Sequence, residues 1–463
     1  MFLFRKTREG WHHGEDRAPG ARKSRERSRS GDRRRARFQL EPLEGRQLLS
    51  WGSVPPALIT PPVNSPPSTY VYGESLSTPG DAHGSNTNLH GEVDFYHFTA
   101  TQGGTYLFDA ASPGHAVDTV IAVYDSSGHR LAYDDDIAPG NTDSEASVAL
   151  QAGHQYFLGV TNYISNTTHG SYNWSIDGPA HTAIEFKARA LGSGFTGAVV
   201  SGLEAASGGY RIRYANCDIY DSPSTGAHEV HGAIRAEYNA TAFETDAYGR
   251  SVQGLLGAPT SDEMNVPGVA GARMNTFQGG AIYWSPGTGA HVVYGGIGAK
   301  YNSLGGPAGY GLPTSDEANL PGVPGVRVTR FQNGAALYWS AATGAHAVYG
   351  AIGAEYNATA GETDYYGTDV QRLLGAPTSD EMNVPGVAGA RMNTLQGGAI
   401  YWSPGTGANV VYGGIGAKYN SLGGPSSFLG LPTTDELGMP GGRVSYFQHG
   451  WIAWTPGGGA YAG

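Results

Sequence analysis

From Gly257 to Pro307 the chain reads GAPTSDEMNVPGVAGARMNTFQGGAIYWSPGTGAHVVYGGIGAKYNSLGGP, and from Gly375 to Pro425 it writes the same 51 residues with two changes, Phe277 to Leu395 and His291 to Asn409. A segment copied this closely must fold alike both times, so a tandem array is the first constraint on the architecture. A looser copy starts at Gly311 with GLPTSDEANLPG, and another starts at Gly430 with GLPTTDELGMPG. A worn copy surrounds Thr196, where CDIYDSPSTGAHEVHGAI at 217–234 replaces GAIYWSPGTGAHVVYGGI. The shared threonine falls at Thr196, Thr260, Thr314, Thr378 and Thr433, which gives five repeats at spacings of 64, 54, 64 and 55 residues. The long spacing carries ten extra residues, in EYNATAFETDAYGRSVQGLL from Glu237 and EYNATAGETDYYGTDVQRLL from Glu355. A two-repeat unit of 118 residues was therefore itself duplicated.

Inside each repeat, short runs such as AIYW and HVVYGGI are separated by Pro-Gly, Gly-Gly and Thr-Gly, which predicts strands and turns, with no convincing helical period. One such unit is too thin to bury an apolar face by itself, so its neighbours must complete the core. The fifth repeat ends without the GGIGAKYNSLGG portion, and residues 183–192 match Gly296–Gly305 at Ile, Lys, Leu and Gly. If that early segment completes the last repeat, the five close into a ring, which also removes exposed strand edges. The expected fold is all-β: a small sandwich, then a five-bladed propeller-like ring.

The run LGxPTSDE, followed by FQxGAIYWSPxTGAH and GAIxxxY, resembles the LGFP repeat, a module of bacterial envelope and secreted proteins, over residues 181–463. That resemblance implies a compact propeller and a role in holding proteins to wall polysaccharide. The first repeat departs from the pattern, with Asp221 at the Trp position and Cys217-Asp218 for Gly-Ala. Residues 69–178 form another module. GEVDFYHFTATQGGTYLFDA from Gly91, VDTVIAVYDSSGHRLAYDDD from Val117, ALQAGHQYFLGVTNY from Ala149 and GSYNWSI from Gly170 alternate apolar and polar residues at sandwich-like spacing. This order resembles the pre-peptidase C-terminal domain, a non-catalytic β-sandwich appended to secreted bacterial hydrolases, some members of which bind matrix polymers or calcium.

Residues 1–50 hold 14 Lys/Arg against 7 Asp/Glu and predict a disordered basic tail. A Pro/Ser-rich linker at 51–68 follows. The tail ends in Leu40-Glu41-Pro42-Leu43-Glu44-Gly45-Arg46-Gln47-Leu48-Leu49, which resembles the LEPR-XLL motif of planctomycete surface proteins and implies export, although no apolar signal core follows the charges. The export route is open on sequence alone. Residues 51–463 carry 15 basic and 33 acidic residues, about 18 net negative charges, which argues against a phosphate-binding surface and makes nucleic acid a poor partner. No run is long or apolar enough to span a bilayer as a helix. The single cysteine, Cys217, forbids an internal disulfide.

Two sets of side chains recur once per repeat. Glu263, Glu317, Glu381 and Glu436 are each followed by an arginine, Arg273, Arg327, Arg391 and Arg443. Charges repeated in this way answer to architecture, and a structural ion pair is expected of them rather than the single asymmetric carboxylate pair of a glycosidase. The Tyr-Trp dipeptides Tyr283-Trp284, Tyr338-Trp339 and Tyr401-Trp402, with Trp454 in the fifth repeat, place one ring inward and its neighbour outward, since faces alternate along a strand. An outward indole with polar neighbours is a platform for the apolar face of a sugar. His291 and His346, at the TGAH corner, join these candidates, although Asn409 and Tyr461 replace them elsewhere. In the sandwich, Asp134, Asp135 and Asp136, with Asp118 and Asp125, could cup a calcium ion; a solvated turn is the simpler reading.

No metalloprotease, nucleophile-elbow or phosphate-loop motif occurs. The expectation is a non-catalytic secreted or cell-surface protein that attaches to wall or matrix polysaccharide, with no required cofactor and with room for envelope protein partners. The alternatives are a structural coat protein without glycan specificity and an accessory region related to a secreted hydrolase.

Overall fold

A computed structural model of the chain describes residues 71–73, 76, 80–89, 93–163 and 170–463. The basic tail 1–50, its LEPR-XLL-like motif and the linker 51–68 lie outside them.

The first module is built from strands β1 (Val71–Gly73), β2 (Ala82–Leu89), β3 (Asp94–Thr99), β4 (Gly104–Ala111), β5 (Thr119–Asp125), β6 (Arg130–Asp134), β7 (Ser144–Leu150), β8 (Gln155–Asn162) and β9 (Gly170–Asp177). Two sheets, in orders β1-β3-β8-β5-β6 and β2-β9-β4-β7, enclose a core that includes Phe98, Tyr106, Phe108, Ile121, Leu158, Tyr172 and Ile176. Side chains of β5 alternate between this core and a second buried cluster of Phe95, Val120, Ala122 and Tyr124 on the sheet's other face. The DxYxFTA and GSY motifs meet inside it. The Tyr172 hydroxyl donates to Asp94 Oδ2 at 2.6 Å and lies 2.7 Å from the Tyr96 hydroxyl, and Asn86 Nδ2 donates to the same carboxylate oxygen at 2.7 Å. A buried carboxylate persists because hydrogen bonds reach it, which accounts for these residue types at these positions.

Each repeat forms one four-stranded antiparallel meander, and the five sheets begin at Glu204, Met264, Ala318, Met382 and Leu437. Strands predominate throughout. The expectation of no helix is corrected: helices Pro179–Leu191 (α1), Gly232–Ala240, Gly295–Ser303, Gly350–Ala358 and Gly413–Ser421 alternate with the sheets. The last four are nine residues long and glycine-containing, so their only apolar signal is one i, i+4 pair: Ile234/Tyr238, Ile297/Tyr301, Ile352/Tyr356 or Ile415/Tyr419, all buried. A period that short merges with the neighbouring strand pattern. The glycine that opens helix 295–303 has φ +56°, a backbone region costly for any residue with a Cβ.

Helix α1 also corrects the argument for a closed ring. Residues 183–192 do correspond to the repeat ending, but they pack on the first sheet, in a cluster of Ile184, Ile212, Tyr214, Cys217 and Ile219, and not on the fifth. The helices that follow do the same for the second, third, fourth and fifth sheets. Each structural unit is therefore a helix followed by the sheet it covers, and the fifth sheet needs no borrowed segment. The apolar clusters among the described residues join repeats one and two, two and three, three and four, and four and five in chain order.

Helix α1 starts at Pro179, directly after β9, and also packs on β4. Arg189 Nη1 and Nη2 donate to the two carboxylate oxygens of Glu145 at 2.6 and 2.5 Å, so the helix ties the sandwich to the first repeat.

Candidate functional site: two equivalent aromatic pockets

The Glu-Arg pairs form within each repeat. Arg Nε reaches Glu Oε1 at 2.8 Å for Arg273–Glu263, 3.0 Å for Arg327–Glu317, 2.9 Å for Arg391–Glu381 and 3.2 Å for Arg443–Glu436. In all four the guanidinium also donates to the carbonyl of its own glutamate. The first repeat has a version that the sequence reading missed, Arg211 on Glu204 at 3.1 Å.

The aspartate beside each glutamate clasps the preceding repeat. Asp262, Asp316, Asp380 and Asp435 accept the backbone N–H of Glu229, Val292, Ala347 and Val410 at 3.1, 2.9, 2.9 and 2.7 Å. His291 and His346, named as ligand candidates, take part in the same contact. Their Nε2 atoms meet the carbonyls of Thr288 and Thr343 at 2.9 Å, and Nδ1 faces Asp316 at 3.2 Å and Asp380 at 3.6 Å. Asn409 Nδ2 donates to the equivalent Thr406 carbonyl at 3.0 Å, which explains why asparagine can replace histidine there.

Strand alternation sorts the aromatic pairs. Tyr283, Tyr338 and Tyr401 are at most 5% exposed and belong to the cores, so they are corrected from ligand candidates to packing residues. The four tryptophans face outward and are half-buried. All four pack at the edge of the cluster that joins their own repeat to the one before it. Trp339 and Trp454 each line a cavity.

The cavity at Trp339 has a volume of about 290 Å³, and its walls include Tyr248, Tyr294, Gly296 and Glu317. The cavity at Trp454 has a volume of about 260 Å³ and is walled at the matching positions by Tyr366, Tyr412, Gly414 and Glu436. The ten extra residues of the long spacing make both. Asp246 Oδ1 accepts the N–H groups of Tyr248 and Arg250 at 2.8 and 2.9 Å, and Asp364 Oδ1 accepts those of Tyr366 and Thr368 at 2.9 and 2.8 Å. This side-chain-capped turn holds a tyrosine edge-on to the indole. The ring centroids of Tyr248 and Trp339 are 5.8 Å apart, those of Tyr366 and Trp454 5.9 Å, and Tyr365 adds a second ring 5.7 Å from Trp454.

In the short-spaced units an aromatic side chain occupies the corresponding place. Phe195 lies 5.1 Å from His231 and Tyr310 lies 5.9 Å from Tyr349, where His231 and Tyr349 stand at the positions of Tyr294 and Tyr412. The helix start differs as well: Gly296 and Gly414 become Ala233 and Ala351. A Cβ at 296 would fall 2.7 Å from the Trp339 ring, and one at 414 would fall 2.5 Å from that of Trp454. The alternation of spacing is thus an alternation at this place between a capped turn that walls a cavity and an aromatic side chain, Phe195 or Tyr310. The extra residues and the GGI/GAI alternation were the available signals, but neither says which tryptophan the loop will reach.

At the pocket walls, burial pushes the Glu317 and Glu436 carboxyls above the ordinary range, against the pull of Arg327 and Arg443. The hydroxyls of Tyr294 and Tyr412, each 4% exposed as a residue, are buried beside those guanidiniums without a hydrogen-bond partner of good geometry.

In the sandwich, burial and the neighbouring Asp136 and Asp135 push the Asp118 carboxyl up to about 6, so three of the aspartates named as calcium candidates stand close together. Asp134 Oδ2 accepts the Glu145 N–H at 2.9 Å, and Asp125 caps a turn through Ser127 and His129. Among the described residues, the carboxylate groups close enough to share an ion do not include Asp134, Asp135 or Asp136. A separate depression of about 470 Å³ lies in the sandwich between His83–Ser85, Asp109 and Asn173–Ser175.

An array whose units complete their cores through their neighbours, with a binding-sized recess in alternate units, defines a tandem-repeat protein. The chain belongs to the LGFP repeat family, whose repeat matches residues 197–246, 256–309, 311–364, 374–427 and 429–463. Among solved structures, the pre-peptidase C-terminal domain of collagenase from Bacillus anthracis is 19% identical, with 23% of this chain and 94% of that domain covered and a TM-score of 0.19. PliG, a periplasmic inhibitor of g-type lysozyme, is similar at 12% identity from Aeromonas hydrophila (23% and 96% covered, TM-score 0.18) and at 15% from Salmonella Typhimurium (24% and 98%, TM-score 0.17). No curated protein matches the chain.

Proposed function

We propose that this is a non-catalytic secreted or cell-surface protein whose LGFP repeats attach it to wall or matrix polysaccharide. The observation that carries the reading is the duplicated aromatic pocket. An indole with a tyrosine edge beside it and carboxylate groups at the wall suits a ring that is apolar on one face and hydroxylated at its rim. Two weak sites on one chain gain strength on a polymer, by about 100-fold when linker and spacing match. The repeated acidic residues support a non-catalytic role, since each is engaged in a contact within or between repeats. The proposal does not depend on the closed five-bladed propeller, because each pocket is completed by neighbouring units alone. No helix among the described residues is long and apolar enough to cross a membrane, which suits attachment through a polymer.

The test is retention of the full chain on purified cell-wall and exopolysaccharide fractions, with soluble polysaccharide as competitor. Competable retention supports attachment. Self-assembly without retention on any fraction would replace this reading with that of a structural coat protein.

A further inference from the structure

Resting on that reading, we infer that ligand is bound by alternate repeats only: the chain has two pyranose sites, at Trp339 and Trp454, and the other repeats are closed to it. Three observations converge. First, both pockets are small. At about 290 and 260 Å³ they lie at the lower edge of ligand-sized cavities, roughly 300–1,000 Å³, so each takes a single ring and not a length of oligosaccharide. Second, both are built around a bare backbone. Gly296 and Gly414 let the indoles of Trp339 and Trp454 lie against the helix start, whereas the closed units carry Ala233 and Ala351 and place Phe195 and Tyr310 where the pocket would open. Third, each pocket wall holds a Glu-Arg pair with a tyrosine, Tyr294 or Tyr412, beside its guanidinium, so polar groups meet the indole at one recess.

The ligand class follows from these groups. The indole selects an apolar ring face. The tyrosine hydroxyl and the glutamate select hydroxyl groups at the ring edge, and the acidic surroundings disfavour an anionic sugar. The 118-residue duplication sets the number of sites at two. The lips are not identical, because Ala247 and Arg250 of the first pocket are Tyr365 and Thr368 in the second. The first guanidinium is already engaged by Asp246 at 2.6 Å, so both pockets present a neutral-sugar face.

The experiment is calorimetric titration of the full chain with neutral tetrasaccharides of β-1,4-glucose, β-1,4-N-acetylglucosamine and α-mannose, in parallel with retention on the parent polysaccharides. The expected result is two equivalents of at least one tetrasaccharide per chain. Gly296→Ala should remove one equivalent and Gly414→Ala the other, each by weakening its site about tenfold or more. The repeats at 233 and 351 carry alanine at the same helix position, so the helix itself accepts the change, but the new Cβ must displace the Trp339 or Trp454 ring. Tyr294→Phe with Tyr412→Phe, which add no atoms, serve as a second pair. Four or five equivalents, or two equivalents insensitive to all four substitutions, would overturn the assignment while leaving polysaccharide attachment standing. Retention on polysaccharide without binding of any tetrasaccharide would overturn the single-ring site alone. Failure of both measurements would overturn the attachment reading as well.

Discussion

Glu355 stands against Asp435, one carboxyl facing another across the contact between helix 350–358 and the fifth repeat. Glu237 meets Asp316 in the same way, 118 residues earlier in the chain. The short-spaced units put lysine there instead, and Lys187 and Lys300 pair with Asp262 and Asp380. The alternation of Lys and Glu on successive helices therefore follows the alternation of spacing.

These carboxyl pairs predict a pH dependence. Burial, and then the facing aspartate, raises the Glu355 carboxyl from 4.5 to about 8 and that of Glu237 to about 7. A carboxyl with a raised pKa holds its proton more tightly in the folded state. Its contribution is complete below about pH 4.5 and is lost as pH rises through about 7 for Glu237 and about 8 for Glu355. Melting temperatures measured from pH 5 to 9 should fall more steeply for the wild type than for a Glu237→Gln, Glu355→Gln double variant. Parallel curves would contradict the pairing.

The neighbouring units suggest a stabilising change. Glu355→Lys recreates the Lys300–Asp380 contact at the fifth repeat and removes a like-charge pair. A gain of up to about 1 kcal/mol at pH 8, read from urea midpoints, is expected, with a smaller gain at pH 5 where Glu355 is protonated. A loss at pH 8 would mean that the two carboxyls do not face each other in solution.

The Glu-Arg pairs should differ in cost according to burial. The Arg327 and Glu317 side chains are 9% and 8% exposed, whereas that of Arg273 is 32% exposed. Arg327→Ala leaves a buried carboxylate without its cation and should cost about 3–5 kcal/mol. Arg273→Ala, with water at hand, should cost distinctly less. Equal losses in chemical denaturation would show that burial does not set the cost.

Four tyrosines link each helix to the repeat that follows it. The hydroxyls of Tyr238, Tyr301, Tyr356 and Tyr419 donate to the carbonyls of Gly257, Gly311, Gly375 and Gly430 at 2.6–2.7 Å. Tyr356→Phe keeps the ring and loses this bond, for an expected cost of about 1 kcal/mol in urea denaturation. No change in midpoint would place the hydroxyl elsewhere in solution.

Cys217 should be inert to thiol reagents while the protein is folded. Its side chain is fully buried among α1 and the first sheet, and burial pushes the thiol up to about 11, so it is protonated at neutral pH. A disulfide-exchange reagent should modify it only after denaturant is added. Rapid reaction in native buffer would indicate that α1 opens.

The sequence by itself determined the number of repeats, their alternating spacing and the Glu-Arg pairs, because each is local. A copied segment repeats its own turns, and Glu317 and Arg327 are ten residues apart on adjoining strands. Strand alternation likewise put the two rings of each Tyr-Trp pair on opposite faces, but only packing showed that Tyr283, Tyr338 and Tyr401 are the inward ones. The nine-residue helices were not legible, since a single Ile-Tyr pair gives no period to read. Nor was the place of residues 183–192: their likeness to Gly296–Gly305 was correct, but only packing could say that they cover the first sheet and not the fifth. Tertiary structure alone also placed the cavities at Trp339 and Trp454. The loop that reaches Trp339 leaves the chain near Asp246, more than a sheet earlier, and no local pattern tells an indole which distant turn will close over it.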